Sequence, residues 1–142
     1  MKIRKATKGD YEKVIELYAD FVNQPDRYKN LDNDSFLKTL EIPNSHIYLA
    51  ETENKIVGFI AFSERTVIRY PKPIVEVEEF YVVPDLRRQG IGKRLMEKAI
   101  ALAQKNNCQY IFLASSKDRV PAHKFYKALG FDEYAFHYRR KP

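Results

Sequence analysis

Pro84-Asp85-Leu86-Arg87-Arg88-Gln89-Gly90-Ile91-Gly92-Lys93 stands between an apolar, β-rich run and a long helical one. Its two glycines, one residue apart, let the backbone turn tightly and leave their N–H groups uncovered. Those amides add to the first-turn N–H groups of the helix that follows, which have no intrahelical acceptor. A phosphate placed there meets several donors and the positive end of the helix dipole. Arg87, Arg88 and Lys93 put cationic charge beside it. The same glycines also suit a plain strand-to-helix turn with solvated arginines, and Gly-x-Gly alone does not separate the two. The stretch lacks the third glycine and acidic ribose partner of a dinucleotide-binding loop, and the Gly-Lys-Ser/Thr ending of a Walker A loop.

Upstream, residues 74–83 form a β-rich run closed by Pro84. Before it, residues 46–51 and 56–65 are two further β-rich runs joined by the polar turn Thr52-Glu53-Asn54-Lys55, which reads as a hairpin. At the start of the chain, residues 2–7 suggest a short strand, and Thr7-Lys8-Gly9-Asp10 resembles a capping box. Tyr11, Val14, Ile15, Tyr18, Phe21 and Val22 then recur at helical spacing, up to Pro25. A shorter helix over 35–40 carries Phe36, Leu37 and Leu40 and is bounded by Pro43. Downstream, the spacing of Ile91, Leu95, Ala99, Leu102 and Ala103 predicts a helix over 90–107. Residues 110–114 are a short interior strand. Pro121 opens a helix lined by Ala122, Phe125, Tyr126 and Leu129, and Gly130 occupies the left-handed C-cap position. Residues 134–138 suggest a last strand. The order β-α-α-β-β-β-α-β-α-β describes an α/β domain whose first half is largely antiparallel.

With 142 residues the chain is expected to form a single domain, 1–142. The formal charge of +6 is spread without a basic stripe or a recognised nucleic-acid motif, so no nucleic-acid partner is expected. No apolar run approaches the ~20 residues of a membrane span and the first residues lack a signal-peptide core, which points to a cytoplasmic protein without a membrane partner. Cys108 is the one cysteine, and His46, His123 and His137 are not spaced as a ligand set, so no metal is expected.

Three stretches together resemble one family. Arg87-Arg88-Gln89-Gly90-Ile91-Gly92 is similar to the Arg/Gln-x-x-Gly-x-Gly/Ala signature of the GNAT superfamily of acyl-CoA-dependent N-acetyltransferases. Glu79-Phe80-Tyr81-Val82-Val83-Pro84 looks like that family's fourth strand. Ala122-His123-Lys124-Phe125-Tyr126-Lys127-Ala128-Leu129-Gly130-Phe131 resembles its C-terminal helix, and the element order matches along nearly the whole chain. The resemblance implies a mixed, mostly antiparallel sheet of six or seven strands, splayed between strands 4 and 5 and flanked by about four helices. It implies acetyl-CoA as co-substrate, with pantetheine against the backbone of Val82 and Val83. The pyrophosphate would lie on the stretch Arg87, Arg88, Gln89, Gly90, Ile91, Gly92 and Lys93. A homodimer is a further possibility by analogy, with Tyr134, Phe136 and Tyr138 at the interface.

Acetyl transfer from a thioester to an amine needs a base for the amine, a donor for the oxyanion and an acid for the departing thiolate. The resemblance places the acid at Tyr126 and the oxyanion donor at the N–H of Val82 or Val83. For the base the strand offers Glu76, Glu78 and Glu79. Simple alternation puts Glu76 and Glu78 on one face and Glu79 on the other unless a bulge interrupts the strand, and Glu79 or Glu76 is the expected base. Many family members carry asparagine seven residues before the tyrosine; Arg119 stands there, and the C-terminal pattern is closer to the aminoalkylphosphonate and aminoglycoside acetyltransferase branch. The expected activity is therefore N-acetyl transfer to a primary amine of a small molecule or peptide. A non-catalytic acetyl-CoA-sensing or partner-binding module is the alternative, against which Tyr126 and the acids argue.

Overall fold

The computed structural model describes the backbone of residues 1–22 and 33–142, and the side chains of 1–18 and 34–142. The end assigned to the first helix at Pro25 and the side chains of Phe21 and Val22 lie outside the described residues. By internal contacts the chain divides into two compact units, Met1–Phe112 and Leu113–Pro142.

The first unit is built on a sheet in the order β1 (Lys2–Lys5), β2 (Ser45–Thr52), β3 (Lys55–Arg65), β4 (Ile74–Val82), β5 (Ile111–Leu113). The first three pairings are antiparallel. At the β4–β5 edge the Gln109 N–H donates to the Pro73 carbonyl (2.7 Å) and the Val75 N–H to the Tyr110 carbonyl (3.0 Å). Both chains ascend together, as parallel neighbours do. The hairpin expected at Thr52–Lys55 forms, with Glu53 and Asn54 both at positive φ (49° and 61°). That is the two-residue turn whose twist suits antiparallel strands, and asparagine tolerates its left-handed conformation.

Helices cover both faces of this sheet. From α1 (Tyr11–Val22) and α2 (Asn33–Glu41), Val14, Leu17 and Phe36 pack with Ile47, Leu49, Ile56, Phe59, Ala61 and Tyr81. On α1 it is Leu17, not the expected Ile15, that is buried beside Val14. Helix α3 (Ile91–Lys105) buries Ile91, Leu95, Met96, Ala99 and Ala103 and packs against β2, β3 and β4. Because both faces are covered, the interior strand β3 is buried without alternation from Ile56 to Phe62.

In the second unit, α4 (Val120–Ala128) ends as the sequence predicts. Gly130 is left-handed (φ 87°), its N–H donates to Lys127, and the Phe131 N–H reaches back to the Tyr126 carbonyl (3.1 Å). The last strand expected at 134–138 is not formed, so among the described residues the sheet has five strands rather than six or seven. The aromatic alternation is present, but a strand exists only through ladder bonds, and residues 131–142 pair with no described strand. Tyr134, Phe136 and Tyr138 are instead 73–89% exposed.

One arginine ties the first strand to the turn that precedes α1 and to β2. Arg4 grips the Asp10 carboxylate with both terminal nitrogens (2.8 and 2.9 Å) and Glu51 with Nε (2.6 Å). Asp10, 5% exposed, also accepts the Thr7 N–H and hydroxyl at 2.8 Å. The Arg4 bonds hold the Asp10 carboxyl far below its ordinary 3.8, against the opposing effect of burial. A group depressed in this way stabilises the fold above its unfolded pKa and loses that contribution as pH falls toward the folded one. Asp10→Ala is therefore expected to cost about 2–3 kcal/mol in urea unfolding at pH 7, with the gap from wild type narrowing below pH ~4.

Candidate active site

Strand β4 carries the expected acids, and its pairing with β3 decides where they point. Ser63 faces Glu76, Phe62 faces Val77, and Ala61 faces Glu79, so Glu78 is an extra residue with no partner. Paired residues share a face of the sheet and neighbours along a strand alternate. Glu76 and Glu79 consequently share the face of Ala61 and Ser63, which is the α1–α2 side. Glu78 is drawn to that side as well, since the Ser63 hydroxyl donates to it at 2.6 Å. The bulge gathers three carboxylates that unbroken alternation would have split between two faces.

Their partners differ. Glu76 is ion-paired with Arg65, and Glu78 is held by Ser63. Glu79 makes no ion pair or side-chain hydrogen bond among the described residues. Solvent reaches it, yet the surrounding protein displaces much of its hydration, and this desolvation pushes its carboxyl up to about 7.

The same bulge sets the backbone at the strand's end. The Val83 N–H donates to the Val57 carbonyl at 3.0 Å, and Gly58 faces Val82. In an antiparallel ladder alternate residues turn their N–H and C=O groups toward and away from a given neighbour. With Val83 bonded to β3, Val82 directs its own pair to the outer edge. There the Arg87 Nε donates to the Val82 carbonyl at 2.9 Å, and the guanidinium lies 5.7 Å from the centre of the Tyr81 ring. Gly58 allows the close approach behind: a Cβ on it would come within 2.7 Å of the Tyr81 carbonyl oxygen and 3.2 Å of a Val82 methyl.

A single 3-10 turn, Pro84–Leu86, then leads to α3. Arg88 (φ 61°) and Gly90 (φ 79°) are left-handed, and Gly90 is the N-cap with no side-chain cap. The first helical bond is Arg94 to Gly90. Among the described residues the amides of Arg88, Gln89, Gly90, Ile91, Gly92 and Lys93 donate to no backbone carbonyl. Uncapped first-turn amides after left-handed residues form a concave nest of donors, the geometry that suits a phosphate. Ile91 is buried and anchors the helix start, whereas Arg88, Gln89, Gly90 and Lys93 are exposed.

Tyr126 belongs to the second unit and is described there. It is half-buried, with Phe125 and Phe131 edge-on at 5.5 and 6.1 Å. Burial raises its phenol pKa, partly opposed by Arg119, so the hydroxyl keeps its proton at neutral pH. His123 Nε2 lies 2.9 Å from the Ser116 carbonyl and ties α4 to the preceding turn. Among the described residues no cluster of three or more His, Cys, Asp or Glu could hold a metal, and no helix is long and apolar enough to cross a membrane.

The sequence model of the Acetyltransferase (GNAT) family matches residues 11–131. The chain belongs to that family. An uncharacterized N-acetyltransferase of Methanocaldococcus jannaschii is 32% identical over 92% of this chain, which spans 60% of that relative's length. Aminoalkylphosphonate N-acetyltransferase of Salmonella typhimurium is 27% identical, over 98% of this chain and 90% of its own. Among solved structures, a Bacillus halodurans protein described as a transcriptional regulator superposes with a TM-score of 0.89 at 28% identity, covering 99% of this chain and 98% of that one. The GNAT family uses acetyl-CoA, and solved acetyltransferase structures share this mixed α/β fold, which has four α-helices among the described residues.

Three features here escaped the sequence reading: Gly58, the Ser63 and Arg65 partners, and the bond from Arg87 to the Val82 carbonyl. Only Gly58 carried a signal, as a lone glycine inside the apolar run Ile56-Val57-Gly58-Phe59-Ile60-Ala61-Phe62. Gly58→Ala is expected to lower stability by about 1–3 kcal/mol in chemical unfolding, because the Tyr81 backbone must move away from the added methyl.

Proposed function

We propose that this chain, acting as one domain over 1–142, transfers an acetyl group from acetyl-CoA to a primary amine in a single ternary complex. The observation that carries this reading is Glu79. Among the described residues it is a carboxylate without an ion pair or side-chain hydrogen bond, its pKa raised by desolvation to about 7, three residues before the outward-facing Val82 on the strand that leads into the proposed phosphate nest. Three residues of extended chain span about 10 Å, a distance that a side chain and one water bridge.

In this reading the amides from Arg88 to Lys93 receive the pyrophosphate. The N–H of Val82 stabilises the oxyanion; Val83 is committed to Val57 and is not the donor. Glu79, rather than the ion-paired Glu76, takes a proton from the ammonium, directly or through a water, and the freed nitrogen attacks the thioester carbon. As the carbon–sulfur bond breaks, Tyr126 gives its proton to the departing sulfur, and the further proton that leaves the nitrogen replaces it through solvent. A base with a pKa close to the working pH serves well, because it is substantially ionised yet still a competent acceptor. Tyr126 suits the acid role because burial keeps it protonated.

The acceptor is a small amine, a polyamine, an aminoglycoside, an aminoalkylphosphonate or a peptide amine. Carboxylates on the α1–α2 side favour one that arrives as a cation. A sensor without turnover is the weaker reading, since it would need neither an unpaired acid at Glu79 nor a protonated Tyr126.

Two variants test the assignments. Glu79→Gln is expected to lower kcat by about 10²–10⁴-fold and to abolish the acidic limb of the kcat/KM profile, which in wild type falls below pH ~7 as the carboxylate is protonated. An unchanged profile would remove Glu79 as the base. Because folding raises this carboxyl's pKa, its contribution to stability is present below the ordinary value of 4.5 and lost as pH rises through about 7. The glutamine variant should thus melt higher than wild type at pH 8, a gain that a merely disruptive substitution would not give. Tyr126→Phe is expected to reduce turnover of acetyl-CoA by at least about tenfold with little change in its affinity. Turnover equal to wild type in a thiol-release assay would exclude the tyrosine as the acid.

A further inference from the structure

Arg87 is the first residue of the loop motif, and its charge suggests a phosphate ligand. Its contacts point elsewhere. Nε donates to the Val82 carbonyl across the turn at 2.9 Å, and the guanidinium faces the ring of Tyr81 at 5.7 Å. Tyr81 is only 4% exposed and packs on Phe59 (6.3 Å between rings). Both partners are the last residues of β4. The backbone of the turn is closed in the same place, with Leu86 donating to Val83 and Arg87 to Pro84, both at 3.1 Å.

We infer that Arg87 is a positioning residue: it fixes the backbone of Val82 from the outer edge, so that the adjacent N–H is aimed at the thioester carbonyl, and the phosphates are left to the amides of Arg88 to Lys93. This rests on the reading of Val82 as the oxyanion donor. Val82 is gripped from two sides. Behind it β3 approaches closely at Gly58. In front the Arg87 bond holds its carbonyl and so restricts rotation about the Cα–C bond of residue 82. On its inner side the same peptide is held by the Val83 N–H bond to Val57; beyond the three-residue β5, Arg87 is the donor that holds its outer side among the described residues. A charged donor to a carbonyl is about twice as strong as a neutral one, and the planar guanidinium is pre-organised in a way a lysine ammonium is not.

The test uses the full-length protein with acetyl-CoA labelled with ¹³C at the thioester carbonyl, so no acceptor is required. Affinity is measured by calorimetry and the carbonyl stretch of the bound thioester by difference infrared spectroscopy. Wild type should show a band below that of free acetyl-CoA. Arg87→Met, without donor or charge, and Arg87→Lys, with the charge but not the planar fork, should both bind within about threefold of wild type. Both should move the band back toward the free value, the methionine variant furthest. A loss of about tenfold or more in affinity for Arg87→Met, restored in Arg87→Lys, would make Arg87 a phosphate cation and overturn the inference. A shifted band in wild type that persists unchanged in Arg87→Met would overturn it as well. Absence of a shifted band in wild type would instead remove Val82 as the donor, a failure of the underlying reading. Melting curves of both variants separate these outcomes from misfolding, and the lysine variant, which keeps the charge, stands in if the methionine variant does not fold.

Discussion

At Glu78, strand β4 carries one residue more than the stretch of β3 it pairs with. Backbone position and side-chain direction both have a period of two in a strand, so one added residue inverts each of them beyond that point. Without it, Glu79 would face the α3 side and Val82 would turn its N–H into the ladder, opposite Val57. With it, Glu79 joins Glu76 on the α1–α2 side and Val82 faces the outer edge. The proposed base and oxyanion donor thus owe their directions to the same register shift. Gly58 and Arg87 hold the shifted segment from its two edges.

The rest of the first unit supports that strand. Burial of β3 on both faces fixes the platform against which β4 is registered, and α3, anchored by Ile91 and Leu95, fixes the turn that follows. Electrostatics divide the acids. Glu76 pairs with Arg65 and Glu78 with Ser63, while Glu79 has no ion pair or side-chain hydrogen bond among the described residues and responds to the low hydration around it. The proposed phosphate nest depends on backbone more than on charge. Left-handed Arg88 and Gly90 expose amides that no cap satisfies, so anion recognition there would survive changes of surface arginines.

Features set by neighbours in sequence were legible before the structure. The Thr52–Lys55 hairpin, the Gly90 helix start, the Pro121 opening and the Gly130 cap each rest on local backbone preferences, and each formed where expected. What depended on pairing across strands was not. Nothing in Glu76-Val77-Glu78-Glu79 distinguishes a bulged strand from a regular one, so the acids could be named but not oriented. The charge of Arg87 is visible in the sequence, whereas its contact with the Val82 carbonyl is not. The alternation of Tyr134, Phe136 and Tyr138 satisfied the strand pattern without a ladder partner, and pattern alone did not make it a strand.

The most direct test is calorimetric titration of the protein with acetyl-CoA in the absence of any amine. The account predicts saturable binding to one site per chain, because the uncapped amides of Arg88 to Lys93 exist before any acceptor arrives. No heat of binding at concentrations up to about 1 mM, the upper end of ordinary enzyme–substrate affinities, would contradict it and take the proposed transfer reaction with it.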